Sequence, residues 1–114
     1  MSVLEIRTYR LKPGASAAFH HSVTERSVPL LRQFDIGVVR FGPSEQNEEG
    51  VEEYVLMRSF ESMSVRDEQE ERFYGSPEWQ SGPRETVVSM IENYHTIVLT
   101  VPAEAIRALC SGGA

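Results

Sequence analysis

The chain has 114 residues, 17 of them acidic against 11 lysines and arginines, for a net charge of −6. That length makes one domain with a core of its own, yet small enough for an apolar face to be completed by a second subunit. The charge leaves no basic footprint for nucleic acid, and no apolar run approaches the roughly 20 residues that span a bilayer. The start, Met1-Ser2-Val3-Leu4-Glu5, lacks the basic-then-apolar pattern of a secretion signal. With a single cysteine, Cys110, in a small-residue stretch and no intramolecular disulfide available, the expectation is a cytoplasmic protein.

Residues 3–11 alternate as a strand, and Lys12-Pro13-Gly14 is a turn opening a helix from about Ala15, with Phe19, Val23, Leu30, Leu31 and Phe34 on its buried side. Pro29 cannot donate to the helical ladder, which predicts a kink or break near Ser27–Val28. Asp35–Phe41 reads as a second strand, Ser44–Gly50 as a polar surface loop and residues 52–60 as a third strand. The charged segment Ser62–Tyr74 reads as a helix, with Ser64 and Asp67 as its cap and Gly75 as a left-handed end. Ser76-Pro77-Glu78-Trp79 has the order of cap, first-turn proline, dipole-favoured acid and packing aromatic. Gly82-Pro83 interrupts that helix, an apolar stripe runs on to Asn93, and Tyr94–Val101 is the last strand. The domain covers 1–102, and 103–114 form a short helix and a flexible tail.

The order strand, helix, strand, strand, helices, strand is the split βαβ arrangement of an α+β, ferredoxin-like domain with a four-stranded antiparallel sheet. Period-2 alternation puts Glu5, Arg7 and Tyr9 on one face, together with Leu56, Arg58, Tyr94, Thr96 and Val98. Leu4, Ile6, Val55, Met57, Ile97 and Leu99 occupy the other. The apolar set is expected under the helices and the charged set on the open face, with Arg40 favoured there too. Such a mixed open face points to two sheets pairing around an enclosed space, hence a homodimer.

Three stretches carry a family resemblance. They are Glu5-Ile6-Arg7-Thr8-Tyr9-Arg10-Leu11-Lys12-Pro13-Gly14, the Ser59-Phe60-Glu61-Ser62 junction leading to Arg66, and Ser76-Pro77-Glu78-Trp79. In this order and spacing the chain resembles the NIPSNAP family over about residues 3–100. The resemblance implies a ferredoxin-like fold of the dimeric α/β-barrel group, usually a homodimer, and implies no known reaction. Mitochondrial animal members are linked to vesicle transport and mitophagy signalling, roles tied to an additional N-terminal region. Structural relatives of the family include cofactor-independent monooxygenases, isomerases, cyclases and haem-degrading enzymes, which raises the prior for a pocket without choosing its chemistry.

The candidate ligand-binding residues are therefore Glu5, Arg7, Tyr9, Arg40, Arg58 and Tyr94. Glu5 and Arg7 can orient a carbonyl or carboxylate while Tyr9 donates a hydrogen bond and Arg58 or Arg40 binds an anion. The plainer alternative is that Glu5 and Arg7 form cross-strand or intersubunit ion pairs and that Tyr9 and Tyr94 are packing residues. For catalysis Glu5 is the one proton-transfer candidate, opposed by the arginine beside it. His20 and His21 point about a hundred degrees apart on a helix and cannot share one metal. His95 is expected on the helix-facing side, and Trp79 as a packing anchor. Without metal-ligand spacing, a phosphate loop or a nucleophile elbow, no metal and no cofactor is expected. Three functions remain open: a homodimeric barrel binding a small apolar molecule with a polar or anionic group, a cofactor-independent oxygenase or isomerase acting on an activated carbonyl compound, and a structural dimer recruiting a protein partner.

Overall fold

In the computed structural model, which describes residues 1–111, strand β1 (Ser2–Leu11) leads through a turn with Gly14 at φ +80° into helix α1 (Ser16–Ser22). The Glu52 carboxylate accepts the amide hydrogens of Gly14 and Ser16, fastening the start of α1 to the sheet. At the place where Pro29 predicts a break, the helix widens into one π-helical turn, Val23–Ser27, and continues as α2 (Val28–Gln33). The wider turn accommodates the missing proline N–H without ending the helix. Asp35 takes a left-handed φ of 61° and turns the chain toward strand β2 (Gly37–Pro43), which starts and ends two residues later than Asp35–Phe41.

Strand β3 (Glu52–Phe60) is followed by helix α3 (Met63–Tyr74). Its cap is Ser62, whose hydroxyl accepts the Val65 amide, and not Ser64: Ser62 is the last residue in extended conformation, so the helix starts two residues earlier than the serine–aspartate pair implies. Gly75 has φ −86° in place of a left-handed end. The stop comes instead from Ser76, extended at ψ 147°, which caps α4 (Pro77–Gln80) by accepting the Trp79 amide as its sequence order predicts. A Cβ at Gly82 would lie 2.1 Å from the Glu78 carbonyl oxygen, so the turn into α5 (Arg84–Ser89) needs a glycine. Strand β4 (Ile91–Val101) begins three residues before Tyr94, its first residues pairing with β1 across an irregularity at Arg10–Leu11. Helix α6 (Ala103–Ser111) packs against β2 and β1. The rest of the expected flexible tail, 112–114, lies outside the described residues.

The sheet order is β2-β3-β1-β4 with all neighbours antiparallel, the split βαβ topology of an α+β ferredoxin-like domain. Among the described residues no helix is long and apolar enough to cross a membrane.

The register groups the strand residues into the two sets expected, but the faces are exchanged. Glu5 pairs with Arg58 and Val98, Arg7 with Leu56 and Thr96, and Tyr9 with Tyr54 and Tyr94, so these lie on one side. That side is the one under the helices: Val3, Tyr9, Leu11, Tyr54, Leu56 and Phe60 join Phe19, Leu31, Phe73, Trp79 and Val87 in the main core. Glu5 and Arg58 are completely buried within it. The apolar set, Leu4, Ile6, Val55, Met57, Ile97 and Leu99, is on the open side, where Leu4 is buried but Ile97 is 53% and Leu99 41% exposed. The expectation reversed because charge alone was taken to seek water. Here α3 supplies ionic partners that let the charged set be buried. His95, paired with Thr8, is consequently on the open side and exposed. Arg40 pairs with Met57 beyond an irregularity at Val39, which puts it on the open side too, across the sheet from Glu5.

Candidate functional site

Burying Glu5 and Arg58 together is affordable only with full pairing, and β1, β3 and α3 provide it. The alternation of β1 and β3 brings Glu5, Arg7 and Arg58 to one face, while Arg66, Glu70 and Tyr74 are spaced four residues apart on α3 and point back at them. Arg58 Nε donates to Glu5 Oε1 at 2.8 Å and its Nη2 reaches both Glu5 and Glu70, the latter at 2.7 Å. Arg66 Nε donates to Glu5 Oε2 at 2.7 Å. Both Arg7 Nη1 and Arg58 Nη1 donate to the Tyr74 hydroxyl oxygen, at 3.0 and 2.9 Å.

The cluster holds three guanidiniums, Arg7, Arg58 and Arg66, against the carboxylates of Glu5 and Glu70, and Asp67 adds a contact to Arg66 at 3.3 Å. Arg7 is the least well paired. Its Nη2 is 3.6 Å from Glu5 and 3.8 Å from Glu70, beyond hydrogen-bond length, whereas Arg58 and Arg66 make short bonds. Arg7 Nε is buried without a hydrogen-bond partner, and so is Oγ1 of Thr96, the residue paired with Arg7 across the sheet. The guanidinium lies between the rings of Tyr74 and Tyr94, 5.8 and 5.4 Å from their centroids.

The protonation states follow from this arrangement. Burial pushes the Glu5 carboxyl up, but hydrogen bonding with Glu70 and the charges of Arg58 and Arg7 bring it down to about 2, so Glu5 is a fixed anion. Burial, then the Glu5 carboxylate, push Glu70 up to about 7. Burial and the neighbouring Tyr74 hold the Tyr9 phenol above its ordinary value, and it stays neutral.

Beside Arg7 opens a cavity of about 240 Å³ between β1, β4 and the helices α3 to α5. Tyr9, Tyr74, Trp79, Val87, Val88, Ile91 and Tyr94 give it apolar and aromatic walls, and Arg7, Gln80 and Arg84 its polar groups. Of the residues singled out in the sequence, Arg7, Tyr9 and Tyr94 line this space. Glu5 and Arg58 stand behind Arg7 in the ion cluster. Glu5, fully ionised and held by two guanidiniums, has neither the proton affinity nor the access of a general base. Arg40 is elsewhere, its Nε donating to the Leu109 carbonyl at 2.8 Å and tying α6 to β2. Sequence reasoning missed Tyr74, Arg66 and Glu70. The i, i+4 spacing of Arg66 and Glu70 was legible, but a helix with charges on all sides gives no clue to which of them turns inward. His20 is bonded to the buried Tyr54 hydroxyl, and Trp79 both anchors the core and lines the cavity.

The NIPSNAP family model matches residues 4–104, nearly the whole described chain. The chain belongs to the NIPSNAP family. Among solved structures, this NIPSNAP chain is similar to a NIPSNAP family protein of unknown function from Agrobacterium tumefaciens, with 28% identity, 86% of each chain covered and a TM-score of 0.76. It is also similar to an uncharacterized NIPSNAP domain protein from Burkholderia xenovorans, with 21% identity, 89% of this chain and 95% of that one covered, and a TM-score of 0.76. SnoaB, a cofactor-independent oxygenase from Streptomyces nogalater, shares the fold at 16% identity, with 88% and 92% covered and a TM-score of 0.60. No curated protein matches the NIPSNAP chain in sequence.

Proposed function

We propose that this NIPSNAP protein is a homodimer whose cavity under the helices binds a small, largely apolar molecule carrying a polar or anionic group. The observation that carries the reading is the incompletely paired Arg7 guanidinium at the wall of a largely aromatic and aliphatic cavity of about 240 Å³. Apolar walls supply affinity by removing ligand surface from water, and the Arg7 guanidinium, with Arg84 also in the lining, orients the ligand. Pairing of two copies is supported by the exposed Ile97 and Leu99 on the open side of the sheet, an apolar face that a second copy of the same sheet would cover. Cys110, exposed on α6, fits a reducing cytoplasm that keeps it a thiol.

Native mass spectrometry of the purified protein, followed by denaturing spectra of anything released, tests this reading. The expected result is a dimer carrying a reproducible small-molecule mass that Arg7→Met loses while remaining dimeric. A ligand retained by Arg7→Met would remove the arginine from the proposal, and a monomer would remove the pairing.

A second reading, a cofactor-independent oxygenase or isomerase acting on an activated carbonyl compound, is favoured by the fold shared with SnoaB. Under that reading the Arg7 guanidinium would hold the enolate, and Glu5, already ionised and paired, would serve only to position the arginines.

A further inference from the structure

Tyr74 ends α3 with its hydroxyl oxygen accepting from two guanidiniums, Arg7 and Arg58. A phenol oxygen has room for two such bonds and one hydrogen to give. Among the described residues no acceptor takes that hydrogen, and Tyr74 lines the cavity. Two cationic donors on its oxygen draw electron density away and make the O–H a stronger donor.

Arg7 offers a matching but narrow valence. Its Nη1 is committed to Tyr74, and its Nη2 faces the carboxylates of Glu5 and Glu70. What remains without a partner is the buried Nε–H; Oγ1 of Thr96, the residue paired with Arg7 across the sheet, is unpartnered too. A carboxylate ligand is held best by two parallel N–H groups of one guanidinium. On Arg7 one arm of that fork already faces two acidic side chains, so a second ligand oxygen there meets like charge. A single oxygen meets none.

We propose that the Tyr74 hydroxyl and the Arg7 guanidinium form a site for one oxyanion, and that the ligand class it selects is a planar aromatic phenolate or enolate in preference to a carboxylate. The inference rests on the cavity being a binding site, and it adds the chemistry of the ligand's polar group. Planarity follows from the rings of Trp79, Tyr74 and Tyr94, which present faces and edges for an aromatic ligand to stack on or abut.

The test uses three single-ring probes against the full chain: 4-nitrophenol, 4-nitrobenzoate and nitrobenzene. Spectrophotometric pH titration of bound 4-nitrophenol reads its protonation directly, because the phenolate absorbs in the visible and the phenol does not. The expected result is an apparent pKa lowered by at least about one unit in the wild-type complex, a tenfold preference for phenolate over phenol. That measurement needs no variant. In Tyr74→Phe, which keeps the ring contacts to Phe73 and Trp79, the preference should fall to about threefold or less. In Arg7→Met it should vanish, while nitrobenzene, which carries no charge, should lose less affinity than 4-nitrophenolate in both variants. An unshifted pKa for bound 4-nitrophenol, or tighter binding of 4-nitrobenzoate, overturns the oxyanion site and leaves the cavity reading standing. Failure of all three probes, nitrobenzene included, overturns the cavity reading and the inference with it.

Discussion

The two faces of the sheet invert the usual division of labour. Under the helices lie two carboxylates and three arginines, and on the open side lie Ile6, Met57, Ile97 and Leu99. The covered face can hold charge because α3 brings Arg66 and Glu70 to meet it. Ionic partners, more than water, decide where these side chains sit. The open face has no such ionic partner; α6 packs against β1 and β2, Leu4 is buried, and Ile97 and Leu99 remain exposed. One face is thus complete but for the free valence of Arg7, and the other is complete only if something covers it.

The largest effect should come from breaking the charge balance of the covered face. Glu5→Gln removes the anion shared by the buried Arg58 and Arg66 and turns one of its two acceptor oxygens into a donor facing a guanidinium, and the expected loss of stability is about 3–5 kcal/mol. Set against a total of about 5–15 kcal/mol for a domain, that change should shift the urea midpoint severely or prevent folding. A midpoint within error of wild type would mean that the cluster contributes little and that the covered face is held by its apolar residues alone.

Next in size is the open face. Ile97→Asp puts a charge on the most exposed aliphatic position of the sheet. If two copies pair through this face, association should weaken at least a hundredfold, about 2.7 kcal/mol, seen by sedimentation velocity as a shift to monomer, while the cavity still binds its ligand. A variant with unchanged assembly would detach the open face from dimerisation.

A smaller effect is a pH dependence that only the covered face can produce. Glu70 is raised from the ordinary 4.5 to about 7, so between these values the folded state binds a proton that the unfolded state has released. Its contribution is therefore full below pH 4.5 and is lost as pH rises toward 7. Glu5, lowered to about 2, works in the opposite sense: its contribution is present above pH 4.5 and is lost as pH falls toward 2. The unfolding free energy from urea titrations across pH 4.5–7 should fall by about 1–2 kcal/mol in the wild type and stay flat in Glu70→Gln. A slope retained by the variant would place the titrating group outside the cluster.

The fold was legible because it rests on period and punctuation. Alternation marked four strands, Ser76-Pro77 marked a helix start, and Pro29 marked the place where the helix widens. Which residues share a face was legible too, since period-2 grouping needs no tertiary knowledge. Which face the helices would cover was not. That choice depends on Arg66, Glu70 and Tyr74 turning inward from α3, a helix polar on all sides whose buried stripe has no apolar signature. Hydrophobicity predicts the covered face when charges are unpaired, and pairing is a property of the assembled domain. The same gap hid Tyr74 from the candidate site, while Arg7, Tyr9 and Tyr94 were reachable from β1 and β4 alone.

The finest test concerns Tyr94, which the two faces could both claim. By register it is opposite Tyr9 and on the covered side, with its ring 5.4 Å from the Arg7 guanidinium carbon, yet it is 63% exposed at the rim of the sheet. If Tyr94 belongs to the cavity, Tyr94→Ala removes a cation–π contact of about 0.5–1 kcal/mol and part of one wall. Affinity for nitrobenzene should then fall by about two- to fivefold, with the assembly state unchanged. If it belongs instead to the surface between copies, association weakens and affinity does not. A loss in affinity alone extends the covered face to the edge of the sheet, making β4 the strand that serves both sides: Tyr94 and Thr96 toward Arg7, and Ile97 and Leu99 toward whatever closes the open face.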